Sequence, residues 1–80
     1  MKINRMTKGT WGKIKAFFDL DCDGVIVKGF KLIDGDNGFF VGMPSVKNKD
    51  GEYDNTVIIP EGHVISHVLD IAKEEYEKQS

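Results

Sequence analysis

Apolar and polar residues alternate between Lys13 and Leu20. Ile14, Ala16, Phe18 and Leu20 interleave with Lys13, Lys15, Phe17 and Asp19. A period of two is that of a strand with one buried face. Val25 to Ile33 is rich in β-branched residues and predicts the longest strand. Phe39 to Met43 predicts a further strand, ended by Pro44, and Tyr53 to Ile59 the last one. Ile3 to Met6 predicts a short first strand. Thr7 to Gly12, mostly polar with two glycines, predicts a turn. Further turns are expected at Asp21–Gly24, Asp34–Gly38 and Asn48–Gly51, each holding glycine beside Asp or Asn. The connections are too short for parallel crossovers, so the strands form an antiparallel meander.

The period then changes. Ile65, Val68, Leu69, Ala72 and Tyr76 make one helical stripe, with His63, His67, Asp70 and Glu74 opposite. Pro60 is expected to open this helix, where its missing N–H costs least. The fold class is therefore α+β: an antiparallel sheet of four to five strands with one C-terminal helix packed on it. Residues 1–80 form a single domain on this reading.

The strands carry more apolar surface than one helix can cover. In Val25–Ile33, strict alternation places Ile26, Phe30 and Leu32 on one side and Val25, Val27 and Ile33 on the other. Phe39 and Val41 oppose Phe40 in the same way, and Val57 and Ile59 oppose Ile58. A strand apolar on both sides is usually covered on both. The expected cover is a second copy of the chain, since isologous dimers are the commonest soluble oligomers. Strict alternation also puts Lys28 and Lys31 on opposite faces.

Composition narrows the function. The net charge of −2 excludes a surface uniformly positive for indiscriminate nucleic-acid binding, but not a local basic patch. The single cysteine, Cys22, fits a reducing compartment and allows no internal disulfide. No apolar run reaches membrane-spanning length, and residues 1–5 lack the apolar core of a signal peptide. The expected location is the cytoplasm, with no membrane partner.

Four groups of residues could carry chemistry. Lys47, Asn48 and Lys49 sit at a hairpin tip, where lysines reach phosphates and an amide can meet a phosphate or base edge. Lys13 and Lys15, with Phe17 on the same strand face, are secondary candidates for holding a phosphate beside a stacked base. Asp19 to Gly24 matches the start of a calcium loop, but the twelfth position is Phe30 rather than Glu. His63 and His67 have zinc-ligand spacing, yet Val64 stands where a metalloprotease helix carries its glutamate. A plain acidic turn and a solvated helix face account for these last two. No metal site and no cofactor is expected. Nothing forms a nucleophile–base pair: Ser66 and His67 are sequence neighbours on a helix and do not face each other. No enzyme activity and no small-molecule substrate are expected.

The stretch from Gly29 to Ser45, Gly-Phe-Lys-Leu-Ile-Asp-Gly-Asp-Asn-Gly-Phe-Phe-Val-Gly-Met-Pro-Ser, resembles the SpoVG family (stage V sporulation protein G). Lys49 to Tyr53 and the helix after Pro60 are also similar. The resemblance covers residues 14 to 78, and residues 1 to 13 match only weakly. It implies an α+β dimer that binds DNA and RNA and regulates gene expression, septation or sporulation. In the family a basic pair after Met-Pro-Ser is tied to nucleic-acid binding. Here Val46 stands at its first position and Lys47 at its second, with Lys49 two residues on. A protein-interaction adaptor that binds no nucleic acid is the competing expectation.

Overall fold

The computed structural model describes residues 1–79. Strands β1 (Lys2–Trp11), β2 (Ile14–Cys22), β3 (Val25–Gly35) and β4 (Gly38–Gly42) form one antiparallel sheet in the order β1-β2-β3-β4. Strands β5 (Ser45–Lys47) and β6 (Tyr53–Asn55) form a separate antiparallel ribbon. Helix α1 (Gly62–Lys78) follows and packs on the sheet. The fold is α+β, and β1 to β4 form the expected meander, whereas the last strand leaves that sheet and pairs with β5, a strand the alternation did not predict.

Each tight connection has a local cause. Asp23 and Gly24 both take positive φ, 56° and 96°, as a two-residue hairpin turn of the twist-matched kind requires. The Asp21 Oδ1 accepts a hydrogen bond from the Gly24 N–H at 2.9 Å and closes that turn. Between β3 and β4 the positive φ falls on Gly38, at 113°, just after Asp36 and Asn37.

Three expected boundaries move. The first strand extends to Trp11, and only Gly12 and Lys13 form the turn. Gly9 is accommodated in this strand because the Trp11 indole lies across it, where any Cβ would overlap the ring. The last strand stops at Asn55: the Thr56 N–H bonds to the Pro44 carbonyl at 2.8 Å, and the chain then leaves the ribbon. In and out still alternate there, with Val57 and Ile59 against the core and Ile58 exposed. The helix begins at Gly62 rather than Pro60. Glu61 is its extended N-cap residue, and its carbonyl accepts from the N–H groups of Val64 and Ile65.

Met6, Ala16, Phe18, Leu20, Phe30 and Leu32 from the sheet meet Val68 and Ala72 from the helix to form the core. The Phe18 and Phe30 rings stack at its centre, 5.4 Å apart and 16° from parallel. At the far end of the helix, the Lys8 ammonium donates to the Tyr76 carbonyl at 3.2 Å and lies 4.2 Å from the Tyr76 ring centroid. That carbonyl is among the last four of the helix, which lack partners within it. Lys8 therefore acts as a cationic cap on the negative end of the helix dipole.

The largest departure from simple alternation is a bulge in β3. Phe18 pairs with Phe30 but Leu20 pairs with Val27, so β3 spends one residue more than β2 over this interval. Gly29 sits there with φ of 96°. The bulge moves Val27 to the core side with Phe30, and places Ile26 on the outer side. Lys28, next to Ile26 and Val27 in the alternation, joins Lys31 on that same outer side. This corrects the expectation that the two lysines face apart. Gly29→Ala should cost about 1–3 kcal/mol, because an alanine there holds a strained backbone. Urea unfolding measures it, and an unchanged midpoint would mean the bulge is not needed in the native state.

Candidate nucleic-acid interface

The β5–β6 hairpin stands beside the sheet rather than within it. Its tip is built by Asn48. The Asn48 Oδ1 accepts from the N–H groups of Asp50 and Glu52 at 2.9 and 3.0 Å, and its Nδ2 donates to Asp54 at 3.1 Å. The Asn48 N–H also donates to the Glu52 carbonyl at 2.7 Å. Gly51 takes a φ of 83° to let the chain return. The Asn48 amide is thus engaged in shaping the loop. Its role as placed by the structure is to hold the turn that carries Lys47 and Lys49.

Lys47 and Lys49 are both exposed. Among the described residues neither makes an ion pair within 4 Å. Their ammonium groups are donors with no acceptor capacity, suited to phosphate oxygens. Register sorts the hairpin's other residues by face. Lys47 pairs with Tyr53 and Ser45 with Asn55, while Val46 pairs with Asp54 on the opposite face. The Lys31 ammonium reaches from the outer side of the sheet to the Met43 carbonyl at 3.3 Å and the Ser45 Oγ at 3.5 Å. It brings a third cation to the base of the Lys47 face. Sequence reading missed Lys31 because its reach depends on where the β5–β6 hairpin sits beside β3, which no alternation pattern gives.

The secondary candidates are separated. Lys13 lies in the β1–β2 turn, where its carbonyl accepts from the Asp34 N–H and its ammonium pairs with Asp36 at 3.2 Å. Lys15 lies in β2 at a register shift between the Ile14 and Ala16 pairs, and is half-buried. Phe17 is engaged by Trp11, edge to face at 4.9 Å.

Asp19 stands opposite Arg5 in the β1–β2 register, and Asp21 closes a turn. His63 lies 3.8 Å from the Glu61 carboxylate, and His63, His67, Asp70 and Glu74 are all exposed. Among the described residues no three His, Cys, Asp or Glu side chains gather as a metal-binding group. Among them, too, no helix is long and apolar enough to cross a membrane.

The sequence pattern of SpoVG matches residues 1–77, taking in the first strand as well as the core motif. The chain belongs to the SpoVG family. Relatives named for septation, as SpoVG, occur in distant organisms. The protein is 29% identical over 79 residues to one from Fusobacterium nucleatum, covering 95% of this chain and 83% of the relative. It is 29% identical over 69 residues to one from Archaeoglobus fulgidus, covering 85% and 81%. A SpoVG of Symbiobacterium thermophilum is 47% identical over 47 residues, which are 58% of this chain and 34% of that protein. The chain thus spans about a third of the Symbiobacterium protein's length. A further SpoVG relative, from Priestia megaterium, is matched over 47% of its length.

Proposed function

We propose that this SpoVG-family protein is a cytoplasmic, homodimeric regulator that binds DNA, RNA or both through Lys47 and Lys49. It performs no covalent chemistry and acts in gene expression linked to septation or sporulation. The observation that carries the reading is the exposed lysine pair on a hairpin clear of the core, in a chain whose family relatives are named for septation. Phosphate neutralisation supplies the affinity, and Asn48 keeps the tip in one shape.

The test is fluorescence anisotropy with random duplex DNA and with single-stranded RNA, at about 50 and 200 mM salt. Each lysine–phosphate contact on duplex DNA contributes about 0.9 to the slope of log affinity against log salt. Lys47→Glu with Lys49→Glu should weaken binding at least about tenfold at low salt and reduce that slope by roughly 2 per engaged protomer. Unchanged affinity in the double variant would move the site away from the hairpin tip.

One observation favours the adaptor reading. Asp50, Glu52 and Asp54 share the hairpin with Lys47 and Lys49, so its formal charge is not positive. Absence of binding to either nucleic acid at low salt, with protein partners still recovered after nuclease treatment, would establish the adaptor instead.

A further inference from the structure

The side chain opposite Lys47 is the ring of Tyr53, which is 71% exposed, the most exposed of the Phe, Tyr and Trp rings among the described residues. It shares a face with Lys47 by register, and the next pair on that face is Ser45 with Asn55. Lys31 donates to the Ser45 Oγ and so borders the same face. The carboxylate of Asp54 belongs to the other face, where it is held by the Asn48 amide. The hairpin therefore segregates its groups: an open ring beside Lys47, with Lys31 at the base of the same face, and Val46 and an engaged acid on the other.

We propose that the Lys47–Tyr53 face is a stacking site for an unpaired base, which makes the hairpin selective for single-stranded nucleic acid. This rests on the nucleic-acid reading above and specifies its ligand. Tyr53 offers its ring face to a base and Lys47, directly across the ribbon, takes an adjoining phosphate, while Lys31 adds positive charge at the base of the same face. An aromatic platform flanked by cations is the physical requirement for binding a single strand with little sequence preference. In a duplex every base face is already covered by its neighbours, so the same ring has nothing to stack on. Phosphate contact from Lys47 and Lys49 would be common to both ligands, whereas Tyr53 serves only one of them.

The experiment compares fluorescein-labelled oligouridine with a random duplex DNA of equal length at about 50 mM salt, using the wild type, Tyr53→Leu, Tyr53→Phe and the Lys47→Glu/Lys49→Glu pair. Stacking on one ring is worth about 1–3 kcal/mol, so Tyr53→Leu should weaken oligouridine binding by roughly 5- to 150-fold. Duplex affinity should stay as in the wild type, and Tyr53→Phe should keep oligouridine binding because it keeps the ring face. Circular dichroism of each variant checks that the exposed substitution leaves the fold intact. Equal oligouridine affinity for Tyr53→Leu and the wild type, with binding lost in the lysine variant, overturns the stacking site and leaves the lysine reading standing. An equal loss for both ligands also overturns it, because Tyr53 would then only shape the hairpin. A wild type that binds neither ligand removes the nucleic-acid reading and this inference together.

Discussion

Phe30→Ala is expected to lower the free energy of unfolding by about 3–5 kcal/mol, a large share of what holds the fold together. Phe30 is 1% exposed and is one of the two largest side chains in the core. Its ring stacks on Phe18, and such a pair adds about 0.5–1.5 kcal/mol beyond the area it buries. A chain of this length is stabilised by about 4–12 kcal/mol in all. The core is small, and Val68 and Ala72 are the fully enclosed residues that the helix contributes. Their backbone positions are fixed by the helix, so the cavity left by the ring can close only in part. Phe30→Leu keeps much of the volume and should cost roughly half as much. Urea titration followed by circular dichroism reads both. A shift below about 1 kcal/mol for the alanine variant would mean that the Phe18–Phe30 stack is not where the sheet and helix are held together.

Much of this core could be read from the sequence because it obeys one period at a time. Ala16, Phe18 and Leu20 are buried as their alternation requires, whereas Ile14, expected on the same face, lies beyond a register shift in β2, pairs with Ile33 and stays outside the core. Val68 and Ala72 lie on the expected helical stripe. The stripe is rotated slightly, with Val64 and Ile71 against the core alongside Leu69 and Tyr76. Reading failed where a glycine had two meanings. Gly9 suggested a turn but lies in an extended strand beneath an indole. Gly29 passed as an ordinary strand residue but marks the bulge that reverses the parity of everything before it. A glycine's sequence context does not say which of these it will be, because the answer depends on a side chain or a partner strand elsewhere in the chain.

The place of the candidate residues in the fold was legible, and their local contacts only in part. Lys47 and Lys49 are where the turn signals put them, at the hairpin tip. Asn48 was expected to face a ligand, but its amide hydrogen bonds are local, as Asn side chains in turns often are. Tyr53 was read only as the start of a strand. Its pairing with Lys47 depends on the register of a short ribbon, which no alternation pattern encodes.

A single charge on the outer side of the sheet should make the proposed dimer a monomer. Trp11 pairs with Ile14, Ile14 with Ile33 and Ile33 with Phe40, so one apolar row crosses all four strands. Phe17 backs this row against Trp11. None of these five residues belongs to the core or packs against it, and Trp11 and Phe40 are 46% and 49% exposed. The row contains no charge, and its ends are an indole and a phenyl ring, side chains that dominate interface energies. A two-fold axis through its middle would set the Trp11 end of one copy against the Phe40 end of the other, an isologous contact that closes on itself. Phe40→Glu would bury a carboxylate in each half of that contact. At about 2 kcal/mol for each lost anchor, counted twice by symmetry, the dimer should weaken by roughly three orders of magnitude. The fold should survive, because the Phe40 ring lies over Gly35 outside the core. Sedimentation velocity at micromolar concentration should give a dimer for the wild type and a monomer for Phe40→Glu, with matching circular dichroism. A wild type that sediments as a monomer would leave this row open to a different protein, and would return weight to the adaptor reading.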